Sequence, residues 1–193
     1  IFDEVVTGFR FAYGGAQAYY GVTPDICALG KVIGGGFPLA AIAAKEEFMV
    51  HFDKNAVAEG EFMPQIGTLS GNPVAAVAGL ATLDILKQPE IYDSLFATGK
   101  RLMQGLESIL KDAGVEAQVI GEPPLFDVFF TSGGLSDYRG MQGNDADRAA
   151  RFNATLREQG ILKGDSKFYV SVAHDDADVE KTLTAFEIAV KTV

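Results

Sequence analysis

One lysine, Lys31, interrupts the otherwise apolar stretch ALGKVIGGGFPLAAI of residues 28–42. Small and apolar neighbours disfavour the charged form of an amine, and a neutral lysine is a nucleophile that forms a Schiff base with a carbonyl group. The run Gly34-Gly35-Gly36 that follows permits positive φ and removes side-chain bulk, so backbone there can approach a ligand closely. A second charged group is equally out of place: in IFDEVVTGFR, Asp3 puts a carboxylate into an apolar run. That is costly unless a cation or a turn satisfies it. Arg10 is one candidate partner, and the protonated ring nitrogen of a ligand is another. A third element, GTLSGNP at residues 67–73, offers the hydroxyls of Thr68 and Ser70, two glycines and a helix start. Such a segment suits an anion, phosphate in particular, although a plain turn before a capped helix has the same composition.

An amine for an aldehyde, a carboxylate for a ring nitrogen and hydroxyls for a phosphate are the demands of pyridoxal phosphate, whose protonated ring acts as an electron sink. Positioning these groups requires ordered elements. Over residues 1–86, short apolar runs (Ile1–Val6, Ile26–Leu29, Leu39–Ala44) alternate with Gly-rich connections, the pattern of strands covered on both faces in an α/β layer. Asn72-Pro73 reads as an N-cap followed by proline at the first helical position, opening the helix PVAAVAGLATLDIL, whose alanines imply close packing.

From residue 87 the rhythm changes. Leu102, Leu106, Ile109 and Leu110 share one helical face, and QVIG and LFDVFF read as strands separated by Glu122-Pro123-Pro124. Phe152 and Leu156 mark a helix ending at Gly160. A strand FYVSVA precedes a last helix with the stripe Val179, Leu183, Phe186, Val190, capped by Asp175 or Asp176. The expected division is therefore an α/β region, 1–86, and a small α+β domain, 87–193. His51, His174, Asp84, Glu107 and Asp112 read as solvated or structural, and Lys163 and Lys167, flanking the last strand, as solvated lysines.

Composition narrows the classes. With 48% hydrophobic and 22% charged residues, the 193-residue chain can bury one ordinary core or two small ones. A net charge of −10 argues against a nucleic-acid partner, which attracts dense Lys/Arg surfaces. No apolar run approaches the length of a membrane span and no leader is recognised; the expected location is cytoplasmic, with no membrane partner. The single cysteine, Cys27, has no internal disulfide partner, and no Cys/His cluster suggests a metal. The opening Ile-Phe-Asp-Glu-Val-Val, strand-like and without a preceding turn, is expected to belong to a longer protein.

IFDEVVTGFR, LGKVIGGGFP and GTLSGNPVAAVAG, in that order, resemble the three signature blocks of the class III, ornithine-aminotransferase-like, pyridoxal-phosphate aminotransferases. Within that family they are most similar to the branch containing glutamate-1-semialdehyde aminomutase. The resemblance implies the C-terminal part of a fold-type I large domain, with a mostly parallel sheet, followed by a small α+β domain. It also implies that Lys31 forms the internal aldimine with pyridoxal 5'-phosphate and that Asp3 pairs with the pyridinium nitrogen. Val5 is then expected to pack on one face of the ring, and Thr68 to contact the phosphate across a homodimer interface. The implied partners are a small-molecule amino donor and an oxo acceptor. Two departures stand out. The family is about twice this length, its N-terminal half carrying a phosphate loop and a ring-stacking aromatic; and Ser166 lies near the position of a glutamate in the aminomutase. Transamination, intramolecular amino transfer and a non-catalytic fragment therefore all stay open.

Overall fold

A computed structural model describes residues 1–193. The three apolar runs of the first region become one sheet, β1 (Phe2–Glu4), β2 (Ile26–Leu29) and β3 (Ala41–Ala44), in that order. β1 and β2 are parallel, with Asp3 beside Ala28 and Glu4 beside Leu29. Parallel neighbours need a crossover, and the chain between them carries a short helix, α1 (Gly15–Tyr20). β3 instead runs antiparallel to β2, Ala28 lying opposite Ile42. The link from β2 to β3 is a 3-10 turn (Lys31–Gly34) and a glycine-rich bend, too short for a crossover, so the sheet is mixed.

After α2 (Glu46–Met49) and a loop comes α3 (Pro73–Leu86), with the bounds expected from its N-cap signal. The Asn72 carboxamide oxygen accepts from the backbone N–H groups of Val74 at 3.0 Å and Ala75 at 3.4 Å, satisfying donors the helix cannot use itself. The small residues of α3 serve contact with the lysine turn. A Cβ placed on Gly79 would strike the carbonyl oxygen of Ile33, and would lie 3.0 Å from Leu39 Cδ2.

The chain forms two compact units, Ile1–Tyr92 and Asp93–Val193. In the second, α4 (Glu90–Asp112) buries Leu102, Leu106 and Leu110, with Ile109 half-buried at the edge of the stripe. A hairpin of β4 (Gln118–Glu122) and β5 (Leu125–Phe129) turns at Pro123-Pro124, and β5 alternates strictly, sending Phe126 and Val128 inward. After α5 (Tyr138–Met141), α6 (Ala146–Glu158) buries Phe152 and Leu156 completely and is followed by Gly160 at φ +78°. The expected strand FYVSVA shrinks to β6 (Phe168–Tyr169), antiparallel to β5. The Val170 N–H still donates to the Pro124 carbonyl in register, but proline has no N–H to return the bond, and beyond it the bond from the His174 N–H to the Ser171 carbonyl closes a turn. Asp175, rather than Asp176, caps α7 (Asp176–Val190), its carboxylate accepting from Asp178 N while Asp178 returns the bond. The core is aromatic: the Phe126 and Phe168 rings stack at 4.9 Å, and Phe186 meets Phe168 edge-on at 5.4 Å.

The two units differ in how much they bury. Of the buried apolar residues, Phe11, Cys27, Ile33 and Ala75 lie in the first, and the other sixteen in the second. No helix is long and apolar enough to cross a membrane.

Candidate functional site

The carboxyl ends of parallel strands are where α/β sheets hold their ligands, and here those ends bring three of the four expected residues together. Alternation along β1 sends Asp3 and Glu4 to opposite faces: Asp3 is exposed and Glu4 is buried. Asp3 Oδ1 accepts from the Val5 backbone N–H at 3.0 Å, which curls the chain as it leaves the strand. Val5 then sits beside Gly30, where an added Cβ would lie 3.3 Å from Val5 Cγ1. Ala28 beside Asp3 and Gly30 beside Val5 carry one methyl group between them, so this face of the sheet has room for a flat ring.

Lys31 follows Gly30 directly and opens the turn Lys31–Gly34 with φ +47°. A left-handed lysine is uncommon and costs on the order of 1 kcal/mol, held only because the surroundings over-determine it. Those surroundings are identifiable. Ile33, two residues on, is buried, and the backbone behind it is pressed against Gly79 of α3. The turn is thus pinned by its apolar residues while its lysine faces outward. Within residues 1–193 the lysine is exposed: Ile33 is buried and Leu39 lies against α3, while Phe37 and Ile42, which were expected to help wall it, are about half exposed. Thr68 is not part of this cluster. It lies exposed in the turn Gly67–Gly71 that leads to Asn72 and α3.

Glu4 is a residue the sequence reading passed over. Its side chain is 1% exposed and its carboxylate is fully engaged. Oε2 accepts from Ala16 N at 2.7 Å and Thr7 Oγ1 at 3.1 Å; Oε1 accepts from Gln17 N and Gln17 Nε2, both at 3.1 Å. Gly15, at φ +74°, leaves the space this needs, since a Cβ there would collide with Glu4 Oε2. Buried on the same side, the Cys27 thiol is pushed up from its ordinary pKa, first by burial and then by the Glu4 carboxylate, against a weak hydrogen bond from Gln17 at 3.7 Å. It is a packing residue, inert as a nucleophile. The available signal for Glu4 was the acidic pair Asp3-Glu4 followed by Gly14-Gly15-Ala16-Gln17, a carboxylate and a helix opening that fit one another.

In the second unit a cavity of about 280 Å³ is lined by Lys163, Lys167, Phe168, His174 and Lys181, among others. Lys163 is not the solvated lysine expected. It is 5% exposed, bonded to Asp127 at 3.1 Å, and its ammonium sits 4.8 Å from the centre of the Phe168 ring. Asp127 also accepts from the backbone N–H of Lys167 at 2.8 Å. This pair braces the hairpin against the segment before β6, and Lys167 is exposed.

Around β1 and β2 the donor set fits pyridoxal phosphate: an amine, a carboxylate on the same strand ends, and a low floor between them. Comparison with known proteins agrees. Glutamate-1-semialdehyde 2,1-aminomutase of Desulfosudis oleivorans is 44% identical over 188 residues, covering 96% of this chain and 43% of that protein. The structure is similar to that of an omega-transaminase from Sphaerobacter thermophilus, at 36% identity and a TM-score of 0.90 over 99% of this chain and 43% of the other. A transaminase with PLP bound matches at 28% identity and a TM-score of 0.83, over 98% of this chain and 43% of the other. The chain thus spans less than half the length of these relatives, and the fold it shares with the two solved structures is that of fold-type I pyridoxal-phosphate transaminases. The class-III aminotransferase family model matches residues 1–189, essentially the whole sequence, and the chain belongs to that family.

Proposed function

We propose that this chain is the C-terminal part of a pyridoxal-phosphate-dependent aminotransferase that moves an amino group between an amine or amino acid and an oxo acceptor. In this reading residues 1–86 belong to the cofactor-binding large domain and residues 87–193 form the small domain of a cytoplasmic enzyme. One observation carries it: Asp3, Val5 and Lys31 meet at the carboxyl ends of two parallel strands, beside a floor of Ala28 and Gly30. The cofactor supplies an electron-withdrawing ring that stabilises negative charge at the substrate's Cα. The chain supplies the rest. The Lys31 amine holds the cofactor covalently; once a substrate amine takes that place, Lys31 Nζ is free to take the proton from Cα and return it. The Asp3 carboxylate accepts a hydrogen bond from the ring nitrogen and keeps it protonated. Val5 would pack against the ring, and Thr68 would hold the phosphate across the interface of a homodimer.

Intramolecular amino transfer of the glutamate-1-semialdehyde type is the second reading. It is favoured by the curated relatives, aminomutases at 41–44% identity. The two differ in one measurable respect: the transaminase needs a separate oxo-acid acceptor for turnover, and the aminomutase does not.

Borohydride reduction of the full-length protein with its cofactor, followed by peptide mapping, tests the site. The phosphopyridoxyl label is expected on Lys31 and lost in Lys31→Ala. Label recovered on Lys163, or on any other lysine, refutes the assignment.

A further inference from the structure

We propose that Glu4 is a positioning residue for Asp3, holding the end of β1 so that the Asp3 carboxylate stays at the height the ring nitrogen requires. The inference rests on the reading of Asp3 above. β1 is three residues long and pairs in parallel with β2. Two sets of bonds, both made by Glu4, hold its carboxyl end. The side chain gathers four donors, from Thr7, Ala16 and Gln17, of which three belong to the opening of α1. The main chain closes the turn after the strand, the Gly8 N–H donating to the Glu4 carbonyl at 2.9 Å. Gly8 and Gly15 are the two places where a side chain would push Glu4 aside: a Cβ on Gly8 would lie 2.7 Å from the Glu4 oxygen.

Asp3 precedes Glu4 directly, so their Cα atoms are held about 3.8 Å apart by the peptide unit. Any shift of Glu4 is passed to Asp3 without an intervening soft contact. The division of labour follows from alternation: one acidic residue faces inward and spends its charge on anchoring, and the next faces outward with its charge available for the cofactor. Because four N–H or O–H groups converge on Glu4, the amide of a glutamine cannot replace it; its NH₂ would face donors.

A double-mutant cycle in the full-length protein tests the coupling, with pyridoxal phosphate affinity of the apoprotein measured by fluorescence quenching. The pH dependence of the bound cofactor's visible band is the second readout. Glu4→Gln is expected to weaken affinity about tenfold in the Asp3 background, but less than about twofold on top of Asp3→Asn. It should also move the band's titration in the same direction as Asp3→Asn. Equal losses in both backgrounds, with no change in the titration, would mean that Glu4 merely stabilises the fold and would overturn the proposal. If Asp3→Asn itself leaves affinity and titration unchanged, the reading of Asp3 fails, and the role of Glu4 through it fails with it. Should Glu4→Gln not fold, Gln17→Met removes one donor from Oε1; about threefold weaker affinity, abolished in the Asp3→Asn background, is then the supporting result. Equal loss in both backgrounds again overturns it.

Discussion

The ion pair between Lys163 and Asp127 should show an asymmetric response to mutation. The Lys163 side chain is 2% exposed, that of Asp127 is 13% exposed, and the charged atoms are 3.1 Å apart. At an effective dielectric constant near 20 their attraction is about 5 kcal/mol, most of which offsets the cost of taking both charges out of water. Removing one charge therefore exposes the desolvation cost of the other. In Asp127→Asn the buried ammonium loses its counter-charge and keeps only neutral partners: the new amide oxygen, the Gly164 carbonyl at 3.3 Å and the face of Phe168. A loss of roughly 3 kcal/mol is expected, at the low end for a broken buried pair. In Lys163→Met the carboxylate retains two backbone donors, Val128 N at 3.0 Å and Lys167 N at 2.8 Å, and some contact with water. About 1–2 kcal/mol should be lost there. The combined variant Asp127→Asn/Lys163→Met, with no buried charge, should be more stable than Asp127→Asn alone. Urea unfolding of the 193-residue chain, followed by far-UV circular dichroism, measures all three differences. An Asp127→Asn variant within about 0.5 kcal/mol of the parent would refute the reasoning, because changes of that size are typical of exposed positions.

Two further outcomes follow from the first unit. Tyr92 donates its hydroxyl to the Phe9 carbonyl at 3.1 Å, and its pKa is pushed up to about 12, mainly by burial and then by Tyr13, against a lowering by Arg10. The folded state thus keeps the proton that the unfolded state gives up near pH 10, so this stabilisation is complete below about pH 10 and fades as pH rises toward 12. Phenolate absorbance in Tyr92→Phe should lack the last-titrating tyrosine; loss of an earlier one would contradict the assignment. Hydrogen exchange on the isolated chain should find residues 1–92 less protected than 93–193, with self-association through the exposed Ile66, Leu69, Val77 and Leu80. Uniform strong protection in a monomer would show otherwise.

Local signals were sufficient wherever a few neighbouring residues decide the outcome. Asn72-Pro73 set the start of α3, the pair Asp175-Asp176 placed the start of α7 to within one residue, and the spacing of Leu102, Leu106 and Leu110 marked the buried face of α4, because caps and helical periodicity act within one or two turns. The oddity of Lys31 and Asp3 in apolar runs was legible for a related reason: a charge among apolar residues is conspicuous without any coordinates. Tertiary structure decided what depends on partners distant along the chain. That Asp3 faces out and Glu4 in is settled by α1, whose donors lie twelve and thirteen residues after Glu4. That Lys163 is buried is settled by Asp127, thirty-six residues before it, and that β6 stops at Tyr169 by Pro124, which has no N–H to continue the ladder. The exposure of Lys31 belongs to this second kind. Its neighbours are as apolar as the sequence says, but Ile33 is buried and Leu39 packs on α3 while Phe37 and Ile42 stay exposed, and only packing determines which way a turn presents its single charge.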